Sequence, residues 1–396
     1  MMAYSTYTAG CKITPNGMFR MDERRWQLNC LYNLALEKRK TVWEKEKKSI
    51  SLYDQYKWLT DLRKENWKGL GEFSVGPQRG MLKRLDESFK SFFRRTKKGG
   101  NPGYPRFRSL SRCVTIDVTQ FTQKIIKDRG HWYAVKMKGF PVIRIRKSKI
   151  LPLDEQLKSL RFTLRNGKWE ASAVYELEKD PLPTSKKSVG IDLGIRKRAT
   201  LSDGTMYPRS TRDDATHRRL QRSISRCKKG SKTRKKRVLA LGRFRRKEHI
   251  KDRNEVHRIT TDIIRKNGIV VVESLKINNM TKSAKGTVEN PGKNVRQKSG
   301  LNREILKQNW GLLRNQLKYK AEWAGREYRE VTPHYTSQDC SGCGARNQPG
   351  SSETYLCITC GLVEDRDLNA AFNIMAAGDS AAGASTWANR PSVVPE

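Results

Sequence analysis

Four cysteines late in the chain, Cys340, Cys343, Cys357 and Cys360, form two C-x2-C pairs, "CSGC" and "CITC", thirteen residues apart. Each pair can turn two thiolates toward one ion, and the two pairs complete a tetrahedral S4 set suited to zinc. Gly344 and Gly361 follow the second cysteine of each pair, where a tight turn wants a permissive backbone. With no coordination position left open, such a zinc is structural, and the nearest histidine, His334, lies outside both pairs. The other four cysteines, Cys11, Cys30, Cys113 and Cys227, are scattered singly, a pattern of a reducing compartment rather than of a disulfide framework.

Three carboxylates stand at the edges of apolar elements. Asp192 interrupts the strand-like "GIDLG", Glu273 closes the apolar run "IVVVES", and Asp367 opens "DLNAAFNIM". A lone charge is costly in such places, and a divalent cation offsets that cost. Hard oxygen ligands converging on two Mg2+ or Mn2+ ions are what two-metal phosphodiester hydrolysis uses. Each acid also has an ordinary reading, as a turn residue, a solvated strand end and a helix N-cap respectively. The three together, in a chain of this charge, favour a metal site.

That charge is large. The 396 residues carry 82 Lys and Arg against 40 Asp and Glu, a formal net charge of +42. Such a chain repels itself unless a polyanion neutralises it, and nucleic acid is the natural one. The densest stretch, "RCKKGSKTRKKR", has eight basic residues in twelve. Lys228, Lys229, Lys232, Arg234, Lys235, Lys236 and Arg237 would lie there along phosphates, the alternative being a solvated helical turn. Trp26, Trp58 and Trp67 could stack on bases, although Trp at helical spacing is more often core. No apolar run approaches the roughly 20 residues of a membrane span, and "MMAYSTYTAGCKITPNG" lacks the apolar centre of a signal peptide. The expectation is a soluble protein of a prokaryotic cytoplasm, associated with the nucleoid, with no membrane partner.

Along the chain, residues 1–20 read as extended and 21–113 as a charged helical segment. Its clearest helix is "MLKRLDESFKSFFRR", where Leu82, Leu85, Phe89, Phe92 and Phe93 recur at helical spacing. From 114 the period becomes two, and "LRFTLRNGKWEASAVYE" reads as a hairpin across Asn166-Gly167 with Trp169, Ala171, Ala173 and Tyr175 on one face. Residues 178–188 form a linker. Strands are expected at 189–193 and 198–201, then helix from about 212 to 266 broken near Gly230, and a buried strand at "GIVVVES". A loop is expected from 278 to 300, and one helix from 302 to 324 with Leu306, Trp310, Leu313 and Leu317 in a stripe. A strand at "REYREVTP", the cysteine segment, a helix ending at Gly378 and a disordered tail complete the reading.

"GIDLGIRKRATLSDG", "VVVESLKINNM", "TSQDCSGCG" and "CITCGLVEDRDLNAAFNI", in this order, resemble the RuvC nuclease segments and zinc ribbon of the TnpB family. These are transposon-encoded, RNA-guided DNA endonucleases from which compact type V CRISPR effectors descend. The resemblance is specific over 189–375 and looser upstream. It implies a multidomain α+β chain. An RNase H-like RuvC domain (187–330 and 363–378) would carry an inserted zinc ribbon (331–362) and end in a disordered tail (379–396). A β-barrel-like wedge domain (1–20 and 114–185), interrupted by a helical recognition domain (21–113), would precede it. Asp192, Glu273 and Asp367 would be the catalytic and magnesium-binding triad, with Asp365 in "EDRD" the competing candidate for the third position. Ser274 follows the glutamate where the family often has Asp or Asn, a position that is not a ligand. A guide RNA would select double-stranded target DNA beside a short motif. Both strands would then be cut at one two-metal site, leaving 5′-phosphate and 3′-hydroxyl ends.

Three other readings share parts of this pattern. A nuclease-inactive, RNA-guided transcriptional repressor would lack a triad acid, and all three are present. A compact type V CRISPR effector would share site and fold. A DNA-strand transferase would want a nucleophilic Tyr near paired His ligands, or an acid triad with a different strand arrangement, and the five histidines show no such pair.

Overall fold

A computed structural model describes residues 2–99, 102–118, 125–128, 130–146, 151–153, 156–178, 180–211, 213–348 and 352–380. Almost all of the tail expected to be disordered lies outside the described residues. The chain divides into two units, Met2–Glu178 and a second from Lys179 onward.

The first unit contains β1 (Met2–Lys12), α1 (Pro15–Glu46), α2 (Leu52–Lys64), α3 (Val75–Lys97), β2 (Thr115–Val118), β3 (Ile125–Lys127), β4 (Trp132–Val135), β5 (Ile143–Arg146), β6 (Leu157–Arg165) and β7 (Lys168–Glu178). Its strands form one seven-stranded antiparallel sheet in the order β2-β6-β7-β1-β5-β4-β3. β6 and β7 turn through Asn166 and Gly167, both at positive φ, and Trp169, Ala171, Ala173 and Tyr175 are buried on one face as their alternation predicts. α1 starts at Pro15, before the expected position, because the Thr14 hydroxyl accepts the Gly17 N–H and proline suits a first helical turn. Helix residues Leu28, Leu31, Leu82 and Leu85 share a single core with Ile116 and Phe162 of the sheet. Of the expected stripe in α3, Leu82, Leu85 and Phe89 are buried, whereas Phe93 is 55% exposed.

The second unit is built on β8 (Ser188–Asp192), β9 (Lys197–Leu201), β10 (Met206–Pro208), α4 (Asp214–Ser225), α5 (Lys232–Lys266), β11 (Ile269–Glu273), α6 (Ile277–Met280), α7 (Val295–Gln308), α8 (Trp310–Ala324), β12 (Glu327–Val331), β13 (Thr354–Leu356), β14 (Val363–Asp365) and α9 (Arg366–Ser380). Five strands make a mixed sheet in the order β10-β9-β8-β11-β12, in which β11 runs parallel to both neighbours. β13 and β14 form a separate antiparallel pair. Side chains alternate across the sheet. Val189, Ile191, Val270 and Val272 pack with Val256 and Ile263 of α5 and Leu313 and Leu317 of α8. On the opposite face Val271 and Val331 meet Ile374 of α9.

The expected helix over 302–324 is two helices. Asn309 is left-handed (φ 55°) and separates α7 from α8. The break resets the helical phase, so Ile305 is buried at 4% exposure while Leu306, assigned to the stripe, is 57% exposed. α7 also takes up the last part of the expected loop. Among the described residues no helix is long and apolar enough to cross a membrane.

Candidate nuclease site and cysteine centre

Val272 of β11 pairs in parallel with Ile191 of β8, so the next residues, Glu273 and Asp192, end adjacent strands side by side. Both belong to the sheet face that carries α9, since Val271 and Gly190 precede them by two. α9 lies directly on this face: a Cβ added to Gly190 would stand 2.1 Å from the carbonyl oxygen of Ala371 and 2.6 Å from the amide of Met375. Only glycine admits a helix backbone this close. The packing brings the first turn of α9, with Asp367, to the same end of the sheet. The Asp367 Oδ2 lies 3.9 Å from the Cβ position of Gly194, in the loop after β8.

The Asp192 carboxyl senses the other two. Asp192 titrates at about 7, raised chiefly by burial and then by the negative charges of Glu273 and Asp367. Burial raises Glu273, against the hydroxyl of Thr336, which donates to its Oε1. Burial also raises Asp367, against the charge of Lys197, whose Nζ stands 3.9 Å from Asp367 Oδ2. Asp365 is differently placed. Its Oδ1 accepts the backbone N–H groups of Asp367 and Leu368, and its Oδ2 meets Lys197 Nζ at 2.6 Å. It is therefore an N-cap with its own counter-ion. Asp192 and Glu273 have no basic side chain bonded to them among the described residues. Oxygen donors and mutual repulsion suit a hard divalent ion, and the three carboxyls converge on one end of the sheet without their oxygens all lying within 4.8 Å of one another.

The cysteine centre is tighter. Among the described residues the four cysteines are the group of three or more candidate ligands whose donor atoms all lie within 4.8 Å of one another. Cys340 and Cys360 Sγ are 3.6 Å apart, and Cys343 and Cys357 Sγ are 3.7 Å apart. A zinc tetrahedron with bonds of about 2.3 Å has edges of about 3.8 Å, so the set fits that ion. Gly344 and Gly361 are at positive φ, and their N–H groups return to the carbonyls of Cys340 and Cys357 at 2.8 and 2.9 Å. The Asn347 side-chain amide donates to Cys357 Sγ at 3.5 Å and to the Tyr355 hydroxyl at 3.0 Å.

The basic stretch divides by role. Arg234 and Arg237 of α5 donate to the carbonyls of Ile224 and Ser223, at 2.7 and 2.6 Å, and so close the C-terminal end of α4. Lys228, Lys229, Lys232, Lys235 and Lys236 are exposed. A cleft of about 610 Å3 beside them is lined by Arg218, Arg219, Arg222, Arg226 and Arg237. Of these, Arg237 is one of the residues expected along phosphates and Arg226 opens the same basic stretch; Arg218, Arg219 and Arg222 lie before it on α4. Thr336, Asn369, Asn373 and Lys197 are further residues of the two centres that their sequence context does not reveal. Only the Asn pair carries a signal, two amides four residues apart in an apolar helix.

Comparison with known proteins shows the family and the fold to which this chain is similar. Residues 310–374 match a Cas12f1-like TNB domain, and residues 172–284 match a family described as a probable transposase. The chain is 32% identical over 393 residues to the putative RNA-guided DNA endonuclease InsQ of Escherichia coli K12, covering 96% of this chain and 94% of that one. It is 31% identical to a putative RNA-guided DNA endonuclease of Streptomyces pristinaespiralis, covering 88% and 83% of the two chains. In fold it is similar to the protein in a cryo-EM structure of a Cas12f1-sgRNA-target DNA complex, with a TM-score of 0.57 at 15% identity, over 91% of this chain and 82% of the other. By this end-to-end likeness the chain belongs to the TnpB family of transposon-associated, InsQ-like proteins.

Proposed function

We propose that this protein is an RNA-guided DNA endonuclease that hydrolyses target DNA at one divalent-metal site formed by Asp192, Glu273 and Asp367. The observation that carries the reading is the strand register that ends Asp192 and Glu273 side by side on the face bearing α9 and Asp367, where burial and the two neighbouring acids push Asp192 up to about 7. A cluster that suppresses its own ionisation is unfavourable as a structural device and favourable as a cation seat. The names of the InsQ and Streptomyces relatives support the same activity.

The mixed five-stranded sheet with α5, α8 and α9 is assigned as the RuvC-type nuclease domain (187–330 and 363–378), and the cysteine segment (331–362) as its zinc ribbon. The first unit, Met2–Glu178, is assigned as the wedge and helical recognition parts, with residues 179–185 of the expected wedge falling in the second unit and α1 beginning at Pro15 rather than after residue 20. Cys340, Cys343, Cys357 and Cys360 would hold the zinc.

In the reaction, Asp192, Glu273 and Asp367 would hold two Mg2+ ions. Bound there, the ions supply activation of water and neutralisation of charge on the scissile phosphate. The chain itself does the rest. Asp192 and Glu273 are fixed by adjacent strand ends, and Asp367 by the helix that Gly190 admits. Lys197 pairs with Asp365 at 2.6 Å and stands 3.9 Å from Asp367, so it also offsets charge at the third ligand. A buried acid cluster of this kind repels a bare phosphodiester, so strand entry and cation loading are linked. Sequence selection comes from pairing with a guide RNA, and the exposed lysines and the arginine cleft supply sequence-independent contacts to phosphate.

The test uses the purified protein with its co-purifying RNA. Asp192→Ala should abolish cutting of a matched plasmid while binding of RNA and of target DNA survives. Retained cutting refutes the assignment.

A further inference from the structure

Glu273 is 7% exposed, and its bonded partner is not a residue of the sheet. The hydroxyl of Thr336 donates to its Oε1, and among the described residues no other side chain does so. Thr336 lies in the turn between β12 and Cys340. The Gln338 and Asp339 N–H groups both return to the Tyr335 carbonyl, at 2.8 and 2.9 Å, and Tyr335 itself is left-handed (φ 62°). Two buried asparagines of α9 grip this turn. Asn373 donates to the carbonyls of Thr336 (2.8 Å) and Asp339 (2.6 Å). Asn369 donates to Asp339 O (2.9 Å) and accepts the N–H of Ser341 (2.8 Å), inside the first cysteine pair.

We infer that Thr336 is a positioning residue of the nuclease metal site, and that Asn369 and Asn373 tie its placement to the cysteine centre. The inference rests on the reading of Glu273 as a metal ligand. A carboxylate with one donor is oriented by that donor, and a threonine held by its backbone offers a restricted side chain. The helix that clamps the turn also carries Asp367. Two of the three proposed ligands are thereby referred to one frame, the turn that leads into the cysteines. Partners of metal ligands typically contribute about 10- to 100-fold in metal affinity.

The experiment compares full-length Thr336→Val, Thr336→Ser and Asn373→Ala with the parent, each with its co-purified RNA. The readouts are Mn2+ binding by electron paramagnetic resonance, zinc content by elemental analysis, and the Mg2+ dependence of cleavage. Thr336→Val should keep the parent's zinc and bind Mn2+ about 10- to 100-fold more weakly, with half-saturating Mg2+ raised in step. Thr336→Ser, which keeps the hydroxyl, should recover most of the loss. Asn373→Ala should shift Mn2+ affinity in the same direction and combine with Thr336→Val less than multiplicatively, since both act through one carboxylate. If the valine variant fails to fold, Asn373→Ala with unchanged Mn2+ affinity overturns the inference. If the valine variant folds and keeps parental Mn2+ affinity, the inference is likewise overturned, and Glu273→Ala distinguishes the two ideas. Normal cutting by Glu273→Ala removes the triad itself, whereas a dead Glu273→Ala beside a normal Thr336→Val removes only the role of Thr336.

Discussion

Asp365 Oδ1 accepts the backbone N–H of Asp367 at 3.0 Å, so one acid of the "EDRD" segment caps the helix on which the other is presented. The same Asp365 holds Lys197 at 2.6 Å through its second oxygen. The two acids, two residues apart, should therefore fail differently. Asp367→Asn should abolish cutting with little change in thermal midpoint. Asp365→Ala should lower stability by about 0.5–2 kcal/mol, the usual cost of a lost N-cap, and keep measurable cutting below the melting range. Plasmid cleavage beside a melting curve decides it; the opposite pattern would exchange their roles.

The Asp192 carboxyl gives a pH signature. It titrates near 7 in the folded chain, against the ordinary carboxylate value of 3.8 in an unfolded one. Between those values the folded state holds a proton that the unfolded state has released. Its contribution therefore grows as pH falls through about 7 and is lost as pH rises through it. In magnesium-free buffer, Asp192→Asn should be more stable than the parent at pH 8, by about 1–2 kcal/mol, and the difference should shrink toward pH 5. With magnesium present, proton and cation compete for the carboxylate, so cation affinity should drop from pH 8 to pH 6 in the parent. A parent melting profile that does not respond to Asp192→Asn across this range would count against a buried, charge-coupled acid.

How much of this could be read from residues alone follows from the range of the interactions. Asp192 and Glu273 were visible because a carboxylate among branched apolar residues breaks a short, strong strand pattern. The cysteine centre was visible because its ligands come in two local pairs. Thr336 was not, because its partner Glu273 is 63 residues away and a hydroxyl in a polar turn carries no mark. Asn309 hid its helix break by sitting between two apolar stripes that nearly continue one another. Arg234 and Arg237 resembled their exposed lysine neighbours, yet they cap α4, a bond that depends on how two helices fold back together.

The cysteine centre should prove structural. Cys343 is exposed and Cys340 buried, so the four thiols straddle the surface of the segment, and β13 and β14 contribute only three residues each. So small an element has a core of only Cys340, Tyr355, Cys357 and Leu362, two of them candidate zinc ligands, and depends on its metal. Elemental analysis should find one zinc per chain. Cys343→Ser should lose it and become sensitive to limited proteolysis within the cysteine segment. A zinc-free Cys343→Ser protein with parental protease resistance would show that the segment folds without the ion.

The arginine cleft makes a quantitative demand. α4 buries none of its residues, and Arg218, Arg222 and Arg226 repeat every four positions, about 6 Å apart along one face. With Arg219 they line one cleft, and none of the four has a side-chain ion pair among the described residues, although Arg218 and Arg219 act by charge on Asp214 and Asp213. Unpaired guanidiniums gathered this closely raise one another's energy, and a phosphate backbone relieves that repulsion while releasing its own counter-ions. The combined Arg218→Gln, Arg222→Gln, Arg226→Gln variant keeps good helix formers and removes three charges. It should weaken nucleic-acid binding and reduce the steepness of log affinity against log salt by about two to three. Target DNA and co-purified RNA, titrated separately, will show which strand occupies the cleft. An unchanged salt slope for both would mean that the arginines face only solvent, and the cationic path would then have to run through the exposed lysines from Lys228 to Lys236 instead.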